Sequence, residues 1–258
     1  MHSIKCPQGE IEIIYEDDDV LVINKPAGLI VHESDNTEDK TLADFLVEAR
    51  PEIASVGEDS RRPGIVHRLD REASGLMVVA KNNESFLSLK EQFKSRRVKK
   101  QYLALAYGQI IADEGLINFP IVRAKAGHKM AAIPLSIGED KNVLSNRDQG
   151  NIKAREKSRE AITNFEVIKR WPHFTLLEVK IKTGRTHQIR VHLAAYGHPL
   201  LGDNLYGTAK TKVKNNKIDL GRIFLLAQKL SFTSLNGEKK EFKIEEPTEL
   251  KAFLDKLK

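Results

Sequence analysis

From Gly75 to Ala80 the chain reads GLMVVA, apolar at every position, with no alternation between two faces. A run of that length without a polar face predicts a strand buried on both sides. IEIIYE and VLVINK are short strand-like runs that end at the turn signal KPAGL. KKQYLALAYGQI alternates as a long strand and GLINFPIV as another, while AITNFEVIKRW and FTLLEVKIKTG resemble a strand pair. IFLLAQKLSFTS predicts a further strand.

Helical spacing shows at four places. Leu42, Phe45 and Leu46 share a face behind Thr41 and Asp44, which stand at capping-box spacing. Phe86, Leu89, Lys90 and Phe93 form a stripe that Asn83 is expected to cap. Ile189, Leu193 and Tyr196 form another, with Thr186 as the expected N-cap and Gly197 as the stop, and Pro247 opens a last helix. The helices interrupt the strands without a βαβ rhythm. The expected class is therefore α+β, with a mixed, largely antiparallel β-sheet flanked by helices. Residues 127–160 are polar and turn-rich, which predicts a loop or insertion within a single domain spanning residues 1–258.

Composition narrows the setting. The chain has 258 residues, 40% hydrophobic and 30% charged, enough for a substantial core. Its apolar runs are too short to cross a bilayer and its start lacks an apolar signal core, so a cytoplasmic protein with no membrane partner is expected. One cysteine, Cys6, forms no internal disulfide and is too few for a thiolate metal site. The formal charge is +6, and KEQFKSRRVKK, from Lys90 to Lys100, sets six basic residues against one acid. Such a patch suits a polyanion, though many basic stretches are merely solvated faces.

Three polar groupings could carry chemistry: HRLD (His67 to Asp70), Tyr102 after the basic run, and KTGRTHQIRVH (Lys182 to His192). If residues 68–70 run extended, Arg68 and Asp70 point to one side. Arg190 falls at the edge of an apolar helical stripe, from which it could reach a carboxylate across a cleft; the spacing alone favours a purely structural Arg–Asp pair. A metal site is not expected. His187 and His192 stand about 140° apart on a helix, whereas paired zinc ligands favour i, i+4 spacing.

RPGIVHRLDREASGLMVVAKN, KKQYLALAYG and KTGRTHQIRVHLAAYGHPLLGDNLYG together resemble the RluA-type pseudouridine synthases, which modify uridines in ribosomal and transfer RNA. The likeness runs from VINKPAGL to the final strand. It implies the pseudouridine synthase catalytic fold with a basic active-site cleft. It implies that Asp70 is the catalytic carboxylate and that Arg68 enters the space left by the flipped base. Tyr102 would pack on the uracil, and Arg190 would pair with Asp70 and keep it ionised. His67, Arg185, Lys99, Lys100, Arg96 and Arg97 are the further residues expected to bind substrate. Those roles suit the reaction, because uracil detached from its sugar must turn on a flat platform before it is rejoined through carbon 5. No redox or group transfer occurs, so no cofactor is expected. RNA is the expected partner and a monomer the expected state.

Two positions depart from the family pattern: Ala73 stands where Thr is usual before SG, and Leu226 where the family has His. No N-terminal RNA-binding domain of the kind many relatives carry is expected ahead of the first strands. Two other readings use the same residues. One is an RNA-binding module without activity. The other is a hydrolase, either a metal nuclease or a glycosylase that uses Asp70.

Overall fold

The computed structural model describes residues 3–33, 39–124, 129–133 and 157–257. They form two compact units, Met1–Leu103 with Arg222–Lys258, and Ala104–Gly221. Both are built on sheet, with five α-helices among the described residues.

In the first unit β1 (Ser3–Cys6), β2 (Gly9–Glu16), β3 (Val20–Lys25) and β4 (Ser74–Ala80) are successive antiparallel neighbours. β4 is the all-apolar run, and each of its seven residues is buried. β5 (Lys99–Tyr107) begins in this unit and ends in the other. Counting along the whole chain, β11 (Leu225–Thr233) lies parallel to β4, and β12 (Lys239–Lys243) pairs antiparallel with β11. Helix α1 (Leu42–Ala49) buries Leu42, Ala43, Phe45 and Leu46, and the Asp44 carboxylate accepts both the backbone N–H and the hydroxyl of Thr41. Helix α2 (Asn83–Lys94) is capped by Asn82, one residue ahead of the expected Asn83. Asn83 is occupied elsewhere, since its side-chain oxygen accepts the N–H of Gly57.

The second unit carries β6 (Glu114–Ile117), β9 (Thr163–Trp171) and β10 (Phe174–Ile181), antiparallel in the order β10-β9-β6. GLINFPIV is not one strand. It divides into β6 and β7 (Ile121–Arg123) around Phe119 and Pro120, because proline lacks the N–H that a ladder needs. β7 pairs with β8 (Met130–Ala132), which falls inside the expected loop; residues 127, 128 and 134–156 of that stretch lie outside the described residues. Helix α3 (Gln188–Ala195) starts one residue later than expected, with His187 as N-cap in a left-handed conformation at φ 56°. Helix α4 (Ala209–Ile218) follows, and α5 (Thr248–Asp255), opened by Pro247, belongs to the first unit.

Candidate active site

HRLD lies where the chain peels away from β4. Ala80 donates its N–H to Gly64 O at 2.9 Å and Ile65 bridges Val79, so residues 64–65 continue the sheet beside the end of β4. At Val78 the main chain has already turned off. The His67 ring replaces it, its Nε2 accepting the Val78 N–H at 3.0 Å. A buried backbone donor is thereby satisfied by a side chain instead of a strand. This segment requires Gly64, at φ +68°, because a Cβ there would stand 2.5 Å from Ala80 O. Towards the start of β4 the same edge belongs to β11, and Gly75 permits that approach; a Cβ on it would lie 2.4 Å from Ala227 O.

After His67 the chain alternates: Arg68 is exposed, Leu69 buried and Asp70 half-buried. A turn follows, closed by the Ala73 N–H on Asp70 O at 3.2 Å. Arg71 ties this turn to the loop after β3, its O accepting Gly28 N–H at 2.7 Å and its Nε donating to Gly28 O at 3.1 Å. Beneath both loops sits Lys25, the last residue of β3, fully buried. Its ammonium donates to Pro26 O at 2.8 Å, Leu29 O at 2.9 Å and Arg71 O at 3.3 Å. Burial, with the Arg222 guanidinium adding to it, pulls Lys25 down to about 7, while Asp70 and Glu72 act in the opposite direction. Lys25 and Arg222 are the residues that the sequence pattern missed. A lysine ending a strand ordinarily reads as a solvated end, and Arg222 lies outside every apolar stripe.

Tyr102 on β5 is 6% exposed. Burial, reinforced by the negative charge of Asp70, holds its phenol above the ordinary tyrosine range. The ring is therefore neutral at physiological pH. His67 stacks on Phe93 of α2, with centroids 4.6 Å apart, and Lys100 Nζ lies 5.4 Å from the Phe93 centroid. Burial, aided by Lys100, lowers His67 to about 3, and burial lowers Lys100 to about 8. His67 is thus a neutral ring bracing the loop from below. Lys99, Arg96 and Arg97 are exposed, with Arg96 at φ 61° and Arg97 Nε on Ser95 Oγ.

The two departures from the pattern meet in this unit. Leu226 of β11 is the register partner of Ser74, next to Ala73, and both Leu226 and Ala73 are buried. Arg222 supplies polar contact nearby, with Nη2 on Ser74 Oγ at 2.6 Å and Nη1 on Glu249 at 2.9 Å.

In the second unit Arg190 is 2% exposed along its side chain and forked onto Asp203, Nε to Oδ2 at 2.8 Å and Nη2 to Oδ1 at 3.0 Å. Asp203 Oδ1 also accepts the backbone N–H groups of Leu205 and Tyr206. The Tyr206 ring lies 5.4 Å from the Arg190 guanidinium, and its hydroxyl bonds to His187 Nδ1 and to Met130 N–H. Gln188, not Thr186, organises the start of α3, bonding Thr183, Arg185, Ile162 and Thr163. Both ring nitrogens of His192 are used, by Thr163 Oγ1 and Phe119 O. Arg185 is half-buried with Nε on Glu160 O.

The family profile described as RNA pseudouridylate synthase matches residues 19–195. The chain belongs to that family. An uncharacterized RNA pseudouridine synthase of Aquifex aeolicus is 40% identical over 97% of this chain and 74% of its own length. Ribosomal large subunit pseudouridine synthase D of Pseudomonas aeruginosa is 41% identical over 77% of this chain, which spans about half (54%) of that protein. Human RNA pseudouridylate synthase domain containing 4 superposes with a TM-score of 0.73 at 25% identity, covering 94% of this chain and 91% of that one. The protein is accordingly an isomerase acting on RNA, with the mixed, largely antiparallel sheet expected of it.

Proposed function

We propose that this chain converts uridines of ribosomal or transfer RNA to pseudouridine without a cofactor, with Asp70 as the catalytic carboxylate. The reading is supported by Asp70 on a turn closed by the Ala73 N–H and by the buried phenol of Tyr102, whose ionisation the Asp70 charge helps to oppose. The name of the Pseudomonas aeruginosa relative favours ribosomal RNA as the substrate. The bond from sugar C1′ to N1 breaks and one from C1′ to C5 forms; the C5 hydrogen leaves as a proton and N1 gains one. Asp70 acts on the ribose, by attack at C1′ or removal of the 2′ proton. The face of Tyr102 carries the uracil while it turns. Exposed Arg68 fills the gap in the RNA stack, offsetting part of the few kcal/mol that extrusion costs.

Arg190 keeps the role that the family resemblance implies, holding Asp70 ionised; an unchanged turnover rate in Arg190→Ala would remove it from the mechanism. The deciding experiment uses total RNA from cells lacking the gene, labelled with tritium at uridine C5. Release of label to water is expected, with no free uracil and no strand breaks. Free uracil would make the protein a glycosylase and strand breaks a nuclease. No release would leave it a binding module.

A further inference from the structure

Helix α4 reads AKTKVKNNKI, with four lysines and no acid in ten residues. Lys210, Lys214 and Lys217 recur at i, i+4 and i+7, within about 60° of one another around the axis. Like charges at that spacing repel and weaken a helix, and threonine, valine and asparagine add little intrinsic preference for one. Tertiary bonds hold it in place. Asn215, on the opposite side, accepts Tyr107 O–H at 2.7 Å and Gly202 N–H at 2.9 Å and donates to Asn204 at 3.0 Å. With Asn215 turned inward, Lys210 and Lys217 are left exposed, as is Val213, while Lys214 lies half-buried with Nζ 6.0 Å from the Tyr107 ring. Among the described residues none of the helix's lysines makes an ion pair. The nearest acid in the sequence is Asp219, which ends the helix in a left-handed conformation.

A pinned helix that presents same-sign charges against its own stability suits a polyanion that neutralises them. We infer that the Lys210, Lys214 and Lys217 face of α4 grips the phosphate backbone of the RNA outside the nucleotide being modified. This rests on the reading above that the chain acts on RNA. Three lysines on one helical face make ionic contacts that carry no sequence information, so the face adds affinity and positioning without choosing the uridine.

The test compares the full chain with two triple variants of equal charge, Lys210→Gln/Lys214→Gln/Lys217→Gln and Lys243→Gln/Lys251→Gln/Lys256→Gln. Binding of a fluorescein-labelled RNA hairpin of arbitrary sequence is measured across a salt series. The α4 variant should lose about two to three units from the slope of log Kd against log salt, and the control triple less than one. Glutamine keeps helix preference and relieves the repulsion, so the melting temperature of the α4 variant should hold or rise. An unchanged slope would overturn the inference, and so would an equal loss in the control triple, which would reduce the effect to net charge. Tighter wild-type binding of polyglutamate than of the hairpin would overturn it in favour of an acidic protein partner. Pseudouridine formation by the wild type is scored alongside, on total RNA from cells lacking the gene. A lost slope with no pseudouridine would sink the enzymatic reading and leave the α4 grip standing, whereas pseudouridine with an unchanged slope would do the reverse.

Discussion

The chain has two lysine-rich regions, and they are built in opposite ways. In Lys90–Lys100, Lys90 is paired with Glu58 and Lys94 with Glu91, and Lys100 is drawn in over Phe93. Through Phe93 that region reaches His67, and through His67 the edge of β4 where the HRLD loop begins. Helix α4 has fewer basic residues and no acid, and its lysines pair with no carboxylate among the described residues. The number of basic residues in a stretch is therefore a poor guide to the charge it offers a ligand. One region ties Lys90 and Lys94 to acids, packs Lys100 on Phe93 and leaves Arg96, Arg97 and Lys99 exposed. The other presents its lysines without a carboxylate partner among the described residues.

The largest expected effect separates chemistry from both regions. Asp70→Asn should lower tritium release at least about 1,000-fold, since an amide is neither nucleophile nor base, while hairpin affinity and its salt slope stay at the wild-type value. A parallel fall in affinity would tie binding to the carboxylate and erase the distinction.

The second effect is acid sensitivity, expected only of the first region. His67 unfolded takes a proton near pH 6.5 but folded holds out to about 3, so stability is full above pH 6.5 and is lost as pH falls towards 3. Urea titrations should show a loss of order 1–2 kcal/mol between pH 7 and pH 5 that is absent from His67→Gln. Equal losses in both proteins would detach His67 from the brace.

The smallest effect concerns Arg96 and Arg97. Arg96→Gln/Arg97→Gln should flatten the salt slope by about one to two units, less than the α4 triple does. An equal or greater change would reverse the ranking of the two regions.

What was legible in the sequence follows from which forces write a periodic pattern. β4 and α1 are held by apolar burial, and their unbroken or helically spaced hydrophobic residues predicted them. The β9 and β10 hairpin declared itself in the same way. Helix α4 did not, because Asn215 anchors it by hydrogen bonds that leave no periodic trace. The start of α3 was missed by one residue because left-handed His187 and the Gln188 side chain do work expected of Thr186. In the candidate site Asp70 and Tyr102 were readable from the motifs, and the charge of Asp70 acts on the buried phenol of Tyr102. Lys25 was not, since only the three-dimensional path of the loops supplies the carbonyl groups that make a buried ammonium tolerable.

The parallel register of Leu226 with Ser74 also bears on synthesis. The two residues emerge from the ribosome about 150 residues apart, with the whole of the second unit between them. Until β11 appears, Ser74 and Gly75 at the head of β4, just after the Asp70 turn, lack the strand that pairs with them on that edge. The unit built from Ala104–Gly221, contiguous in sequence, meets no such delay and can assemble first. A nascent chain therefore pairs the head of β4 with β11 only after the whole second unit has been made.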